Sequence, residues 1–228
     1  MLIDDQRDID DLIYGFDDEH QSVVSVHTDR SGNAYLWGRD PSSDIVSMRR
    51  LRFHFWAVVA DKNLAGGLES IQLGGDLPLA YLVGHRSFST LKKILIRQYN
   101  QKNHAQVEHI SELAKRDAAY FILNPVEQFL LKSGITYFGG LEWPQVHRLC
   151  FDLETTGLDP NSDQILMIAI GDNRGYEVVL EGKSEAQLIE QFVAIIQDKD
   201  PDVIEGYNLF EFDLEFLHQR ALRLGIRL

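Results

Sequence analysis

Hydrophobic and polar residues alternate in the first part of the chain in the way that β-strands require. The segments SVVSVHT (22–28) and AYLWG (34–38) are rich in β-branched and aromatic residues, and DRSGN between them is typical of a hairpin turn. LRFHFWAVV (51–59) alternates over part of its length and predicts a third strand. The first pattern that the chain presents is therefore that of an antiparallel sheet.

Two helices are predicted after these strands. Apolar residues recur at helical spacing over residues 91–99. A second helix has clear ends, because Asn124 is suited to be its N-cap, Pro125 to be its first residue and Gly134 to terminate it. We expect these elements to form a small α+β domain over residues 1–140.

A connector, GGLEWPQVH (139–147), separates this region from a more apolar one. The order of elements beyond it is three strands, a helix, a strand and a helix. The strands are RLCFDLET, QILMIAIG, YEVVL and PDVIEGY, and the helices are SEAQLIEQFVAIIQ and DLEFLHQRALRLG. This order predicts an α/β fold in which residues 141–228 form a partial mixed sheet of the ribonuclease H-like kind.

The composition is that of a soluble globular protein, since 44% of the 228 residues are hydrophobic and 25% are charged. No apolar run reaches the roughly 18 residues that a membrane-spanning helix needs, so we expect no membrane partner. The single cysteine, Cys150, lies between Leu149 and Phe151, which favours a buried strand position. One thiol excludes an internal disulfide, and we expect a reducing, cytoplasmic location.

The formal net charge of −13 excludes a protein that coats DNA without regard to sequence. A local site can still bind nucleic acid if cations neutralise its carboxylates. The charge is uneven, because residues 86–116 contain seven basic and two acidic residues. That stretch is either the solvated face of a helix or a surface that follows phosphates.

Candidate chemistry begins at the end of the strand RLCFDLET. Asp152 and Glu154 are two residues apart, so both side chains lie on one face of the strand. Two carboxylates held this close repel each other, which raises one pKa or requires a cation, and Mg²⁺ prefers oxygen ligands. Taken alone, the pair is more typical of a solvated strand end.

A second signal lies in GYNLFEFD (206–213). A strand ends there, Asn208 follows it, and Asp213 occupies the first turn of the next helix. If this strand runs parallel to the strand of Asp152, the Asp213 carboxylate joins those of Asp152 and Glu154 in a cluster of three acids. The alternatives are a helix-dipole role for Asp213 and a capping role for Asn208.

Together the two segments resemble the first and second exonuclease motifs of the DEDD-type 3′–5′ exonucleases. The pattern Tyr-Asn-x-x-x-Phe-Asp is most similar to the proofreading domain of family B DNA polymerases. The run YFILNPVEQFLLKSGITYFGGLEWPQVHRLCFDLETTG resembles the passage from their N-terminal domain into the exonuclease. The segments VSVHTDRSGNAYLWGRD and LRFHFWAVV resemble, more weakly, their N-terminal hairpin and the strand after it.

This resemblance implies a nuclease that uses two Mg²⁺ or Mn²⁺ ions and removes nucleotides from a 3′ end. Asp152 would bridge the two ions. Glu154 would hold the ion that carries the attacking water, and Asp213 would hold the other ion, near the leaving oxygen. All three acids are thereby implied as both metal ligands and catalytic residues.

Three further positions match residues that touch the 3′-terminal strand in this family: Thr155, Asn208 and Phe212. Phe212 is equally typical of a core aromatic residue, and Tyr207 is interpreted as a packing residue. The implied partners are a single-stranded DNA 3′ end and, in a full-length protein, polymerase domains downstream.

The chain departs from the family after Asp213. The third exonuclease motif supplies a Tyr and an Asp, and the fifteen residues after Asp213 contain neither. His218 is not a substitute, because it lies on the helix and is interpreted as exposed or packed. We expect a front portion of a longer protein or a degenerate copy, weak or inactive by itself. The helix over residues 213–224 then has uncovered apolar residues, which predicts a homodimer or an absent covering segment.

Three functions stay open at this point. The first is a proofreading-type exonuclease portion of a family B-like DNA polymerase, and the second is a free-standing DNA exonuclease. The third is a non-catalytic nucleic-acid-binding or assembly module with a degenerate nuclease fold. The three retained acids favour catalysis, and the missing third motif favours the module.

Overall fold

The computed structural model describes residues 22–228, and the chain divides into two compact units, Met1–Leu141 and Glu142–Leu228. Both units combine helices with β-sheets, which confirms the predicted α/β fold class. In the part of the chain that the structure describes, no helix is long and apolar enough to cross a membrane.

In the first unit, a three-stranded antiparallel sheet contains strands β1 (Val23–Thr28), β2 (Asn33–Arg39) and β3 (Val46–Arg52). The hairpin predicted for β1 and β2 is confirmed, and its turn has a local cause. The Asp29 carboxylate accepts hydrogen bonds from the backbone N–H groups of Ser31 and Asn33. Gly32 has a φ of 79°, and a Cβ there would lie 2.5 Å from the Phe53 carbonyl oxygen. Glycine is therefore required at this point of the turn.

A second sheet contains β4 (Phe55–Val59), β5 (Glu69–Gln72), β6 (Tyr81–His85) and β7 (Ala119–Tyr120) in the order β5-β6-β4-β7. All its neighbouring strands are antiparallel. The prediction of one strand over residues 51–59 was wrong, because the chain leaves the first sheet after Arg52 and enters the second at Phe55. Alternation continues across the break, since Phe53 and Phe55 are both buried.

The described part of the first unit also contains three α-helices: α1 (Phe88–Asn103), α2 (Ser111–Ala114) and α3 (Pro125–Ser133). The predicted ends of α3 are confirmed, because the Asn124 side chain accepts from the N–H groups of Val126 and Glu127 and Gly134 is left-handed. The core gathers large apolar side chains from both sheets and the helices. Its largest fully buried members are Phe55, Leu91, Leu95, Leu113 and Phe129.

The second unit has one four-stranded sheet in the order β10-β9-β8-β11. Its strands are β8 (Arg148–Thr155), β9 (Ile165–Asp172), β10 (Glu177–Leu180) and β11 (Val203–Glu205), and its helices are α4 (Glu185–Lys199) and α5 (Asp213–Leu224). Strands β8, β9 and β10 are antiparallel neighbours, and β11 runs parallel to β8. This is the mixed sheet that the sequence predicts. The N-cap of α4 is also confirmed, since Ser184 and Gln187 form a reciprocal capping box.

One face of β8 belongs to the core of this unit. Leu149, Phe151 and Leu153 are buried there, and the Phe151 ring meets the Phe192 ring edge-on at 4.7 Å. Each such side chain contributes about 1.5–3 kcal/mol by leaving water. The prediction that Cys150 is buried was wrong, because strand alternation turns it to the opposite face, where it is exposed.

Helix α5 buries only part of its apolar surface. Phe216, Leu217 and Ala221 are buried, as the periodicity predicts for Leu217 and Ala221. Leu224 was predicted to face inward and is 40% exposed, and Leu222 is 59% exposed. The last turn of α5 therefore presents leucine side chains to solvent.

Candidate functional site

The exposed face of β8 carries the two acids that the sequence singles out. Asp152 and Glu154 are exposed, and they alternate with the buried Phe151 and Leu153. Glu154 pairs with Met167 of β9, but Thr155 pairs with Ile165, so the register shifts by one residue directly after Glu154. Such irregularities bend a strand and redirect its side chains, and they occur often beside functional sites.

Asp213 is the first residue of α5, and it is buried, with 3% of its surface exposed. Its Oδ1 accepts a hydrogen bond of 3.3 Å from the backbone N–H of Leu153. That N–H is available because β11 pairs with β8 only from Arg148 to Cys150. The parallel placement of β11 and the helix that follows it therefore bring Asp213 against β8, one residue from Asp152.

The electrostatics agree with this placement. Burial raises the pKa of Asp213, the negative charge of Asp152 raises it further, and the Leu153 N–H opposes both effects. The pKa of a carboxyl rises in this way when a second carboxylate is near and no cation compensates. Asp152 therefore lies close enough to Asp213 for its negative charge to raise the pKa of Asp213.

The structure does not bring all three acids into one metal-binding group. Among residues 22–228, no set of three His, Cys, Asp or Glu side chains is arranged to hold a metal ion. The donor chemistry still fits a hard divalent cation, because Asp152, Glu154 and Asp213 offer only carboxylate oxygens. The rise in the Asp213 pKa is also what a cation would relieve.

Of the residues predicted to touch the DNA strand, Thr155 ends β8, Asn208 lies in the loop after β11, and Phe212 is the N-cap of α5. The Thr155 hydroxyl donates to the Gly157 carbonyl at 2.7 Å. Asn208 is exposed with a φ of 54°, and its carbonyl, not its side chain, accepts from the N–H groups of Glu211 and Phe212. Phe212 is half-buried and packs against the core, with its ring 5.5 Å from that of Phe216.

The interpretation of Tyr207 as a packing residue was wrong, because this side chain is 96% exposed. Phe210, which the sequence analysis did not single out, is 83% exposed on the same loop. The turn at Asn208 explains why both rings are exposed. Asn208 has a left-handed backbone conformation, which reverses the direction of the chain. The side chain that this turn buries is that of Leu209, which is 4% exposed.

A buried ion pair that the sequence reasoning missed holds α5 in place. The Arg220 guanidinium donates two hydrogen bonds, of 2.7 and 2.6 Å, to the Glu185 carboxylate, and both side chains are 9% exposed. Arg220 also donates to the Pro160 carbonyl, and Glu185 accepts from the Ile165 N–H. One signal was available, because Arg220 lies three residues after Leu217, within the inward-facing stripe of the helix.

The loop after Thr155 is fixed by a second carboxylate that was not singled out. Asp163 accepts from the Thr156 hydroxyl and from the Asp159 N–H. A Cβ on Gly157 would lie 2.5 Å from an oxygen of this carboxylate, so a glycine permits the approach. The Glu-Thr-Thr-Gly segment (154–157) therefore supplies one of the three acids and also shapes the loop beside them.

Comparisons with known proteins agree with this architecture. Residues 171–227 match the family model described as DNA polymerase family B, exonuclease domain. The DNA polymerase of Archaeoglobus fulgidus is 38% identical over 92 residues, which are 39% of this chain and 12% of that protein. The DNA polymerase of Pyrococcus glycovorans is 35% identical over 115 residues, which are 45% of this chain and 15% of that protein.

A solved structure shows the same fold. The family B DNA polymerase from the hyperthermophilic archaeon Pyrobaculum calidifontis superposes with a TM-score of 0.62 and 19% sequence identity, over 89% of this chain and 32% of that one. The chain thus spans a small part of the length of each of these relatives. The resemblance that the sequence indicates is confirmed: this chain is similar to the exonuclease region of family B DNA polymerases.

Proposed function

We propose that this chain is the 3′–5′ exonuclease portion of a family B-like DNA polymerase, acting on the 3′ end of single-stranded DNA. The observation that carries the proposal is the buried Asp213 carboxylate, which accepts a hydrogen bond from the Leu153 N–H and whose pKa is raised by burial and, further, by the nearby charge of Asp152. The match of residues 171–227 to the exonuclease domain of this family supports it.

Asp152, Glu154 and Asp213 are the residues that would hold two divalent cations, either Mg²⁺ or Mn²⁺. Such ions, when bound, stabilise the attacking and leaving oxygens of a phosphodiester during hydrolysis. The protein contributes the placement of the ligands. Leu153 fixes one Asp213 oxygen, and the register shift after Glu154 orients the end of β8.

The loops after β8 and β11 would bind the strand that is cut. Because β8 and β11 are parallel, their carboxyl ends lie at the same edge of the sheet, beside the acids. Thr155, Asn208 and Phe212 are the residues proposed to touch the terminal nucleotides. The exposed rings of Tyr207 and Phe210 support this, because unpaired bases stack on aromatic side chains.

A second candidate function is the non-catalytic nucleic-acid-binding module. The observation that favours it is that the acids of the described part of the chain form no three-ligand group. A free-standing exonuclease would share the chemistry of the main proposal. The weak activity expected of the chain by itself stays a prediction, and the assay below measures it.

The test is cleavage of a 5′-labelled single-stranded DNA in Mg²⁺ or Mn²⁺, followed on a sequencing gel. We expect slow shortening from the 3′ end, and Asp152→Asn should lower this rate by roughly 10³-fold or more, because a metal ligand supplies several kcal/mol of transition-state stabilisation. Glu211→Gln is the matched control, since Glu211 is exposed and two residues before Asp213.

Two results would contradict the exonuclease proposal. One is a wild-type rate that Asp152→Asn does not change, which would point to a contaminating nuclease. The other is an absence of cleavage while the strand binds equally well to wild-type and Asp152→Asn protein, which would favour the binding module.

A further inference from the structure

The sheet β1-β2-β3 of the first unit has one face in the core and one face open to solvent. Val26, Ala34 and Leu36 point into the core. The opposite face carries six residues that we call the aromatic–basic face: His27, Tyr35, Trp37, Met48, Arg50 and Arg52.

Strand register places these side chains side by side. Tyr35 lies on the central strand directly between His27 and Arg50, and the His27 and Tyr35 rings are 6.1 Å apart with 31° between their planes. Trp37 pairs with Met48 in the next row along the sheet. The rings of Tyr35 and Trp37 therefore lie two residues apart on the same face of β2. An arginine, a histidine and a methionine on the neighbouring strands lie beside them.

This chemistry is unusual for the open face of an antiparallel sheet, which is normally polar. Met48 is 53% exposed and His27 is exposed, and Tyr35 and Trp37 are partly exposed although they lie on the central strand. Cross-strand pairs that include an aromatic ring stabilise a sheet only modestly. That gain does not account for the arginines beside the rings.

The charge of the face is opposite to that of the chain. The whole chain has a net charge of −13, yet the aromatic–basic face contains two arginines and no acid. No ion pair joins Arg50 or Arg52 to another side chain within residues 22–228. The nearest acid along the strands, Asp29, is engaged by Asn33 and by the Tyr35 hydroxyl at the end of the face.

We propose that the aromatic–basic face binds single-stranded DNA. Bases would stack on Tyr35 and Trp37, and Arg50 and Arg52 would contact the phosphates or stack with the bases. Exposed rings next to cations on an open surface are the combination that binds unpaired strands without reading their sequence. The face lies in the first unit, so this binding is a property separate from the proposed exonuclease.

The test uses the full chain and a labelled oligodeoxythymidylate, which has no internal base pairs, in EDTA so that metal-dependent cleavage does not contribute. We expect Trp37→Thr to weaken binding roughly 5- to 150-fold, the effect of losing one base-stacking ring, and Trp37→Phe to restore most of it. The slope of log K against the logarithm of the salt concentration should become shallower when Arg50 and Arg52 are changed to alanine, by about 1 for each arginine.

The control is the pair Lys92 and Lys93 on α1, changed to alanine, which removes positive charge from the basic stretch 86–116 instead. Circular dichroism and thermal unfolding of each variant confirm that the sheet is intact. Equal affinity in wild-type and Trp37→Thr protein would overturn the proposal, as would a loss confined to the α1 variant. The proposal would also be overturned if Trp37→Thr changed the sedimentation of the protein but not its affinity for DNA. That result would show that the face joins two copies of the chain.

Discussion

The two units each present an open sheet face, and the two faces differ in both chemistry and construction. The aromatic–basic face of the first unit depends on strand register alone, because all six side chains stand on β1, β2 and β3. The carboxylates of the second unit come from a strand and from a helix, since Asp152 and Glu154 lie on β8 and Asp213 begins α5.

The carboxylate site of the second unit therefore depends on helix packing, whereas the aromatic–basic face depends on strand pairing. Asp213 reaches β8 only because α5 is fixed, and the Arg220–Glu185 ion pair links that helix to the start of α4. Damage to the packing of α5 should therefore disturb the acids and leave the aromatic–basic face unchanged.

The largest effect is expected from Arg220→Ala. Removing one partner of a buried ion pair leaves the Glu185 carboxylate without compensation, which destabilises a protein by about 3 kcal/mol or more. Urea unfolding should show this loss in the transition of the second unit. If the loss is below 1 kcal/mol, the pair does not fix α5, and the contrast between the two sites fails. Arg223→Ala is the matched control, because Arg223 is exposed one turn later.

The same ion pair predicts how stability depends on pH. Burial opposes ionisation of Glu185, but hydrogen bonds from Arg220 and from the Ile165 N–H outweigh it, so the pKa of Glu185 is lowered. A carboxyl with a lowered folded pKa stabilises the fold above its unfolded pKa, and this contribution is lost as the pH falls through the folded value. We expect wild-type stability to fall over that acid range, and Arg220→Gln to fall less steeply. Parallel curves for the two proteins would contradict this account.

A smaller effect of opposite sign is expected from Asp213→Asn. Burial and the charge of Asp152 raise the pKa of Asp213, so the ionised form destabilises the fold once the pH is above that value. Asparagine keeps an oxygen for the Leu153 N–H and removes the repulsion. The variant should gain about 1 kcal/mol of stability at neutral pH, as substitutions at strained functional sites do, and should lose cleavage. A loss of stability would mean that Asp213 is a structural carboxylate.

Much of the fold could be predicted from local signals. Asn124 and Ser184 cap helices as their sequence context indicates, and the order of elements after the connector predicts the mixed sheet. The placement of Asp152 and Glu154 on one face also followed from strand alternation, because that property needs no tertiary information.

One error was avoidable, because Cys150 lies two residues before Asp152 and strand alternation alone places both on the exposed face of β8. The other errors arose where tertiary contacts decide. Tyr207 and Leu224 lie at positions that strand and helix patterns favour for burial, yet Tyr207 is 96% exposed and Leu224 is 40% exposed. The Arg220–Glu185 pair joins residues 35 apart in the chain, so no local pattern identifies the partner.

The most direct test of the central claim is a Mn²⁺ titration followed by calorimetry. If the acids of the second unit act together, wild-type protein binds Mn²⁺. Asp152→Asn and Asp213→Asn should then each weaken that binding by at least tenfold. Glu211→Gln, the control, should leave it unchanged. Equal Mn²⁺ affinity in wild type and both variants would contradict the account, because the acids would then not form a cation site.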